Sequence, residues 1–423
     1  MIKDGYKKTS IGYIPLDWEV KKFKDITAIL RCGLASTPKY VEDGVPFLSA
    51  QNVKNGKLNL DKYKCISNEL HEKLTKNTKP QKNDILMTRV GNVGDAALVD
   101  IDWEFSVYVS LTHIRMKEGY DSQFFTQLLN SSFIKRRSLQ TQYKGGGVAN
   151  LNVKVVEEFD MPIPPLKEQQ KIAEILSSVD AAIEKTEQVI AKTEEVKKGL
   201  MQQLLTKGIG HTKFKQTDIG NIPIKWKLLT LESLCERVTR KNKSLNDNVL
   251  TISAQHGLIN QAEFFNKIVA GKNIESYYLL KQGEFAYNKS YSKGYPFGVI
   301  RRLDRYEEGI LSTLYICFKL KDEQTVTSDF INNIFESGLL DSQFVGIAKE
   351  GARAHGLLNI KVADFFNIQI PIPSLEEQNK ISEVIKVMNI RIDSEEIKLK
   401  KLNEVKKGLM QQLLTGKTRV KID

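Results

Sequence analysis

Apolar side chains recur at alternating steps of three and four residues in two long stretches of the chain. This spacing, kept over more than four heptads, is typical of a coiled coil. We predict two long helices, at residues 167–207 and 376–416, that pair through this stripe. The predicted core positions are Ile172, Leu176, Val179, Ile183, Ile190, Leu200, Leu204, Ile381, Ile385, Met388, Ile392, Leu399, Leu402, Leu409 and Leu413.

The rest of the chain has shorter and mixed patterns, which predict an α+β fold with two tandem α/β domains at residues 1–166 and 208–375 and a basic tail at 417–423. Strand-like runs include Ala96–Val99, Ser106–Arg115, Gly298–Arg302 and Leu311–Leu320. The longer amphipathic stretches, typical of helices, are Ser122–Thr141 and Val326–Lys349.

The chain contains an internal repeat. The string EVKKGLMQQLLT occurs at Glu195–Thr206 and again, without a change, at Glu404–Thr415. The same offset aligns PIPPLKEQQKI with PIPSLEEQNKI, and both halves open on T-x-I-G-x-I-P-x-x-W, first at Thr9–Trp18. The domains resemble each other more faintly, as in LNVKVVEEF against LNIKVADFF. We interpret the chain as two units on one framework with different surfaces.

The order of the elements favours an antiparallel pair of helices. The first helix ends where the second domain begins, and the second helix begins where that domain ends. Parallel helices would require this domain to bridge a helix of roughly 57 Å. We therefore predict two domains at opposite ends of a spacer, related by an approximate two-fold axis. Ser374 and Glu377 predict a capping box at the start of the second helix, and Gly208 and Gly416 predict the two helix ends.

Charge adds the first functional indication. The net charge is +12, and residues 1–166 and 207–375 each carry +5, whereas the helical stretches nearly cancel. A basic surface on each domain is typical of nucleic-acid binding. The four cysteines form no C-x-x-C pair and there is no long apolar run or secretory signal, so we expect no metal site, no membrane span and a cytoplasmic location.

The candidate DNA contacts are polar, basic or glycine residues at matching places in both halves. Amide side chains can pair with adenine, basic side chains can meet phosphates or bases, and glycine allows close backbone approach. Structural caps and loop connectors are the alternatives. The candidates are Gln51, Arg89, Asn92, Lys144, Gly145, Gly146, Gly147, Gln255, Lys289, Ser292, Lys293, Arg353 and His355.

No catalytic motif emerges from the sequence. The nearest match to the [N/D]-P-P-[Y/F/W] motif of adenine methyltransferases is PIPPL, which lacks both the polar and the aromatic residue. The string LTGKT lacks the first glycine of a phosphate-binding loop, and E-V-K occurs only within the helical repeat. We therefore predict that the chain is not an enzyme and that it holds no cofactor or metal.

The chain resembles the specificity subunits of type I restriction–modification systems over essentially its whole length. The motifs that carry this resemblance are the repeated openings, the two P-I-P-x-x-x-E-Q segments and DILMTRVG at Asp84–Gly91. The resemblance implies two target-recognition domains for double-stranded DNA and helices that dock two modification subunits. Those subunits would bind S-adenosylmethionine and methylate adenine, and further restriction subunits would supply translocase and nuclease activities. QGEFAYNKSYSKG departs from the D-I-L pattern in the second domain. The alternative is a coiled-coil interaction scaffold with non-specific DNA affinity.

Overall fold

A computed structural model describes residues 4–143, 149–253, 257–265, 273–291, 294–348 and 358–422. The chain divides into two compact units. The first unit consists of Met1–Glu187 and Ile397–Asp423, and the second is the continuous segment Gln188–Glu396. Both boundaries lie inside the long helices, so each helix contributes one half to each unit.

The elements of the first domain come in the following order. They are β1 (Tyr6–Thr9), β2 (Gly12–Pro15), β3 (Glu19–Lys22), α1 (Phe23–Ile26), β4 (Thr27–Cys32), β5 (Val45–Leu48), a 3₁₀ turn (Ala50–Asn52), β6 (Val53–Lys54), β7 (Lys57–Leu58), β8 (Lys64–Ile66), α2 (Asn68–Thr75), β9 (Ile85–Thr88), β10 (Ala96–Leu98), β11 (Ser106–Val107), β12 (Leu111–Met116), α3 (Ser122–Leu129), α4 (Ser132–Thr141), α5 (Val153–Glu157) and β13 (Asp160–Ile163), followed by the long helix α6 (Leu166–Lys207).

The second half repeats much of this order. Its elements are β14 (Phe214–Thr217), β15 (Gly220–Pro223), β16 (Lys227–Thr230), α7 (Leu231–Leu234), β17 (Cys235–Arg237), β18 (Leu250–Ser253), β19 (Gly257–Asn260), α8 (Gln261–Phe265), a 3₁₀ turn (Ile274–Ser276), β20 (Tyr278–Lys281), β21 (Phe285–Asn288), β22 (Val299–Arg302), β23 (Glu308–Leu311), β24 (Ile316–Leu320), α9 (Ser328–Glu336), α10 (Asp341–Ile347), α11 (Val362–Phe366), β25 (Gln369–Ile372) and the long helix α12 (Leu375–Leu413).

The strand order of the sheets shows the repeat more clearly than the amino-acid sequences of the two domains do. A four-stranded antiparallel sheet has the order β10-β9-β12-β4 in the first unit and β22-β21-β24-β17 in the second. In both halves the opening hairpin (β1-β2, β14-β15) and the strand pair before each long helix (β3-β13, β16-β25) also correspond. The α+β fold on a duplicated framework is thus confirmed.

Both predicted helical stretches are interrupted. Val326–Lys349 contains the two helices α9 and α10, with Gly338 at φ +75° between them. Ser122–Thr141 forms two helices because Ser131 caps the second one, its hydroxyl accepting a hydrogen bond from the Ile134 amide at 3.4 Å. The Asn130 side chain turns back to the Thr126 and Ala96 carbonyls. Serine is a common N-cap, and the amphipathic pattern alone does not show such a break.

The turn before the central strand β9 depends on the buried carboxylate of Asp84. Its oxygens accept hydrogen bonds from the Gln81 amide at 2.9 Å, the Arg115 Nε at 2.8 Å and the His113 Nε2 at 2.6 Å. This is the aspartate of the D-I-L stretch, so that motif has a structural role in this chain.

Glu284 takes the same role before β21, where the second domain departs from D-I-L. Its Oε2 accepts a hydrogen bond from the amide of Lys281, three residues earlier, at 2.9 Å. The Arg240 guanidinium donates to the other carboxylate oxygen, Oε1, at 3.0 Å. A longer side chain and a different arginine therefore preserve the same turn.

We expect Asp84→Asn to lower the free energy of unfolding by about 1–3 kcal/mol at pH 7, because Arg115 and His113 would lose an ionised acceptor. Burial raises the pKa of Asp84, but the hydrogen bonds from Arg115 and His113 outweigh burial and hold this pKa below its usual value. A lowered pKa stabilises the fold above the unfolded-state pKa, about 3.9, and this contribution disappears as the pH falls through the folded-state value. Urea unfolding between pH 7 and pH 2 measures it.

The exposed Asp102→Asn variant is the matched control, because the Lys82 ammonium, at 3.1 Å, is the partner of the Asp102 carboxylate within the described ranges. It should change stability by no more than about 0.5 kcal/mol. An Asp84→Asn protein that loses as much stability on acidification as the wild type would contradict the assignment.

Within each unit the two long helices pack together in opposite directions. In the first unit Ile172 and Leu176 of α6 share a core with Leu413 of α12. In the second unit Leu205 of α6 shares a core with Ile381 of α12. Since the start of one helix meets the end of the other in both units, the pairing is antiparallel, as predicted.

The predicted apolar stripe of the first long helix differs from the observed buried positions near the end of that helix. Leu200 and Leu204 are half-buried, whereas their neighbours Met201 and Leu205, absent from the predicted stripe, lie fully within the second core. The helix ends pack on a domain as well as on each other, so their apolar face is wider than a coiled-coil seam. No helix in the described ranges is both long and apolar enough to cross a membrane.

Other predicted core positions differ in burial. Those that are buried are Ile172, Leu176, Ile381, Ile385, Ile392 and Leu413. Those that are half-buried are Val179, Ile183, Ile190, Met388, Leu399, Leu402 and Leu409.

Both helix ends have the predicted glycine in the left-handed region, at φ +66° for Gly208 and +69° for Gly416. α12 ends at Leu413, a little before the predicted 416. A Cβ atom on Gly208 would lie 2.8 Å from Trp226, and one on Gly416 would lie 2.5 Å from Pro15. The glycines are therefore needed for space as well as for backbone geometry.

Candidate nucleic-acid interface

The buried carboxylate of Glu168 connects the first long helix both to Trp18, which follows the opening hairpin, and to the C-terminal tail. The Trp18 indole donates to the Glu168 carboxylate at 3.0 Å, and both side chains are fully buried. Arg419, from the C-terminal tail, donates to both Glu168 oxygens at 2.8 and 2.9 Å and to Asp17 at 2.8 Å. The hydrogen bond from Arg419 lowers the pKa of Asp17. Two of the repeated motifs, I-P-x-x-W and E-Q, thus meet at one point.

The second unit has the same arrangement with a different cation. The Trp226 indole donates to Glu377 at 3.0 Å, and the His211 Nε2 lies 2.9 Å from the same carboxylate. The Ile209 amide is a third donor, at 2.9 Å. Counted from the glycine that ends each helix, His211 and Arg419 occupy the same place.

This contact corrects the predicted capping box. The Glu377 amide does donate to the Ser374 hydroxyl, at 3.4 Å. The Glu377 carboxylate, however, does not return to the backbone at the start of the helix, because the tryptophan and histidine side chains bind it. Only half of the box forms.

The glutamine of each E-Q pair is also buried and structural. The Gln169 amide bridges the Pro164 carbonyl and the Asp121 amide, both at 2.9 Å. The Gln378 amide bridges the Pro373 carbonyl at 3.1 Å and the Thr327 amide at 2.8 Å. These side chains fix where each long helix leaves its domain, so their role is structural.

Several predicted contact residues of the first domain gather around the segment before β12. Arg89 lies beside this segment: its amide donates to the Ser110 carbonyl at 2.9 Å and its Nη1 to the Val109 carbonyl at 3.0 Å. Its other nitrogens reach Leu151 and Asn150. Described residues accept from three of the five guanidinium N–H groups, so Arg89 organises this edge of the domain.

Arg89 also contacts Asn150, which pairs in turn with Tyr143. Tyr143 and Asn150 exchange two backbone hydrogen bonds, at 2.9 and 3.0 Å, and close the segment between them. Tyr143 is 76% exposed, which is unusual for a tyrosine in a folded domain. Asn92 is exposed nearby in sequence and donates to Asp95 at 2.6 Å.

Gln51 lies on the same side of the first domain. It belongs to the 3₁₀ turn, and the preceding Ala50 amide donates to the Ser110 hydroxyl at 2.9 Å. A cavity of about 240 Å³ opens beside the turn. It is lined by Tyr40, Phe47, Ser49, Ala50, Gln51, Lys64, Tyr108 and Ser110.

The second domain repeats one of these contacts at the backbone level. The Leu358 amide donates to the Lys289 carbonyl at 2.9 Å, just as the Leu151 amide donates to the Arg89 carbonyl at 2.8 Å. Lys289 is half-buried, and burial together with the charge of Arg237 lowers its pKa. The remaining predictions, at Lys144, Gly145, Gly146, Gly147, Gln255, Ser292, Lys293, Arg353 and His355, lie outside the described residues.

The predicted DNA contacts as a set remain predictions.

The repeat also leaves the same side chains exposed on the two helices. Val196 is 52% exposed and its counterpart Val405 is 51% exposed. Since core packing requires only the inward positions to be apolar, it does not explain two identical outward faces.

One cluster has the composition of a catalytic triad. The His71 Nδ1 lies 2.9 Å from the Ser106 hydroxyl, and its Nε2 lies 3.1 Å from Glu104. Ser106 is only 1% exposed, so its hydroxyl cannot reach a substrate and serves to hold the histidine. Burial raises the pKa of the Cys235 and Cys317 thiols to about 12, which leaves them unreactive. In the described ranges no cluster of three or more potential ligands could hold a metal ion.

Comparison with known proteins gives a consistent result. Residues 15–195 match the family model described as the type I restriction modification DNA specificity domain. The chain is similar to two proteins of Methanocaldococcus jannaschii. It is 26% identical to a putative type I restriction enzyme MjaX specificity subunit, over 99% of this chain and 98% of that protein. It is 27% identical to the MjaVIII specificity subunit, over 99% and 97%.

Solved structures show the same fold. The S subunit of a type I restriction–modification system from M. genitalium superimposes with a TM-score of 0.55 at 14% identity, covering 94% of this chain and 96% of that one. A chain from a structural study of complex assembly and conformational transition of the type I R-M system gives 0.52 at 15% identity, covering 96% and 99%.

Proposed function

We propose that this chain, which is similar to the specificity subunits of type I restriction–modification enzymes, is such a subunit and that it reads an asymmetric, bipartite DNA site, one half with each domain. Specificity subunits recognise DNA sequence and are noncatalytic components of these systems. The observation that carries the proposal is a shared framework with unequal surfaces: Arg89 and Lys289 occupy the same backbone position on corresponding sheets. Unequal side chains at equal places would select unequal half-sites.

Both domains have the charge that this task needs. Residues 1–166 and 207–375 each carry +5, and the helical stretches between them are nearly neutral. Phosphate contacts give affinity for any sequence, and side chains at base edges add selectivity. The antiparallel helices would set the number of unread base pairs between the half-sites.

We further propose that two copies of a methyltransferase subunit dock on the two identical helix faces around Val196 and Val405. The two domain surfaces must differ if they bind different half-sites. The two helix faces must be alike if each binds a copy of the same partner. The methyl donor, S-adenosylmethionine, would bind to those partners and not to this chain. Restriction subunits would join through the assembled methyltransferase.

The experiment is methylome sequencing of a host that expresses this chain with its methyltransferase partners. We expect methylated adenines in a motif of two unequal half-sites around a gap of fixed length. Methylation without a bipartite motif, or DNA binding by the complex that does not depend on sequence, would favour a scaffold and contradict the proposal.

A charged residue on the duplicated face should block docking of one partner at a time. We expect Val405→Glu to reduce the partner copies from two to one in native mass spectrometry, and Val196→Glu with Val405→Glu to leave none, because a buried unpaired carboxylate opposes association. Ile390→Glu is the matched control: Ile390 is 57% exposed on the same helix, but Ala181 stands at its counterpart. Two copies bound to the double variant would refute the docking surface.

A further inference from the structure

The turn at Gln51 combines a rigid backbone with an unused amide group. Next to Gln51, the Asn52 side chain is buried and holds the turn: its oxygen accepts from the Ser49 amide at 3.0 Å, and its nitrogen donates to the Asn59 and Lys62 carbonyls at 2.9 and 2.8 Å. The Gln51 side chain is exposed, and no residue in the described part of the chain hydrogen-bonds it. Because the backbone of the turn is already fixed, binding of an external partner by the Gln51 amide would cost little conformational entropy.

The neighbouring side chains indicate which partner fits. The cavity beside Gln51, about 240 Å³, is smaller than typical ligand pockets of about 300–1,000 Å³, so it does not enclose a cofactor. Its rim carries the Lys64 ammonium, 4.1 Å from the centre of the Tyr40 ring, and the exposed part of Tyr108. No carboxylate in the described ranges pairs with Lys64. An amide, an ammonium and aromatic edges suit a base edge together with its phosphate.

We propose that the Gln51 carboxamide reads one adenine of the half-site bound by the first domain, in the major groove, and that Lys64 contacts the adjacent phosphate. A carboxamide presents one donor and one acceptor, which match the N7 acceptor and the N6 donor of adenine. The proposal rests on the proposed function, and it adds the residue and the base that it reads.

Replacing Gln51 should alter one position of one half-site. In the methylome of the assembled complex, we expect Gln51→Ala to lose about 5- to 100-fold in discrimination at that position, while the second half-site and the gap stay unchanged. Gln51→Glu should shift the preference there from adenine towards cytosine, whose N4 group donates to a carboxylate. Gln324→Ala, an exposed glutamine of the second domain, is the control and should leave the motif unchanged.

Lys64 gives a separate result. Lys64→Ala should weaken binding of the complex to all duplexes alike and reduce the slope of log affinity against log salt by about one, without changing the motif. Lys62→Ala removes an equal charge two residues away and should leave that slope closer to the wild-type value.

The outcomes are distinguishable. An unchanged motif in Gln51→Ala overturns the inference. So does a melting temperature that falls by more than about 4 °C, because it would assign Gln51 a structural role. If the wild-type complex itself yields no bipartite motif, the proposed function fails first and this inference fails with it.

Discussion

A Trp18→Ala variant is expected to lose about 3–5 kcal/mol of unfolding free energy in the first unit, because it removes a fully buried indole and leaves a cavity. The indole also donates to Glu168, a buried carboxylate that would keep only Arg419 as a described donor. Since the tail and the hairpin meet at this carboxylate, the loss should reach both segments. Urea unfolding followed by circular dichroism gives the free energy, and hydrogen exchange shows which unit opens.

The control for this variant is Trp103→Ala. Trp103 is 39% exposed and contacts the Tyr63 and Phe105 rings, so its removal should cost about 1 kcal/mol or less. Equal losses in the two variants would mean that the burial of Trp18 and its hydrogen bond to Glu168 contribute nothing specific. Trp226→Ala should repeat the large effect in the second unit.

Removing one heptad from each long helix should shorten the unread gap between the half-sites by about three base pairs, from seven residues at about 1.5 Å against about 3.4 Å per pair. The segments Thr186–Lys192 and Glu395–Lys401 suit this purpose. The boundaries between the two units lie inside both, and the helix residues of the two large cores lie outside them. Both half-site sequences should persist, because neither domain loses a residue.

Methylome sequencing of the double deletion reads the gap directly. A motif with the original gap would contradict the idea that the helices act as the spacer. Deleting only Thr186–Lys192 is the informative control: it shifts the register of one helix against the other, so we expect lower stability and no new well-defined gap.

The sequence revealed the duplicated framework and the long helices, because identical strings and a long apolar period are visible in a single chain. It did not reveal the contact between Trp18 and Glu168, which lie 150 residues apart. A signal was nevertheless present: each half has one I-P-x-x-W and one P-I-P-x-x-x-E-Q. A glutamate inside an apolar stretch needs a partner if it is buried.

The surface was harder to predict, because base contacts follow no period. Arg89 was chosen for its charge, yet its guanidinium mainly holds the protein together. Asn52 was overlooked beside Gln51, although it fixes the turn that presents the glutamine. Sequence alone does not show which of two adjacent amides faces inward, because that depends on the Asn59 and Lys62 carbonyls across the turn.

The division of the first unit between the two chain ends has a consequence for synthesis. Leu413 and Leu414 belong to its core, and Arg419 pairs with Glu168, so a nascent chain cannot form these contacts until Arg419 has left the ribosome. The second unit is a continuous segment and needs nothing beyond Glu396. The order of completion is therefore the reverse of the order of translation: the unit that is begun first is completed last, and translation that stops between Glu396 and Leu413 would spare the second unit.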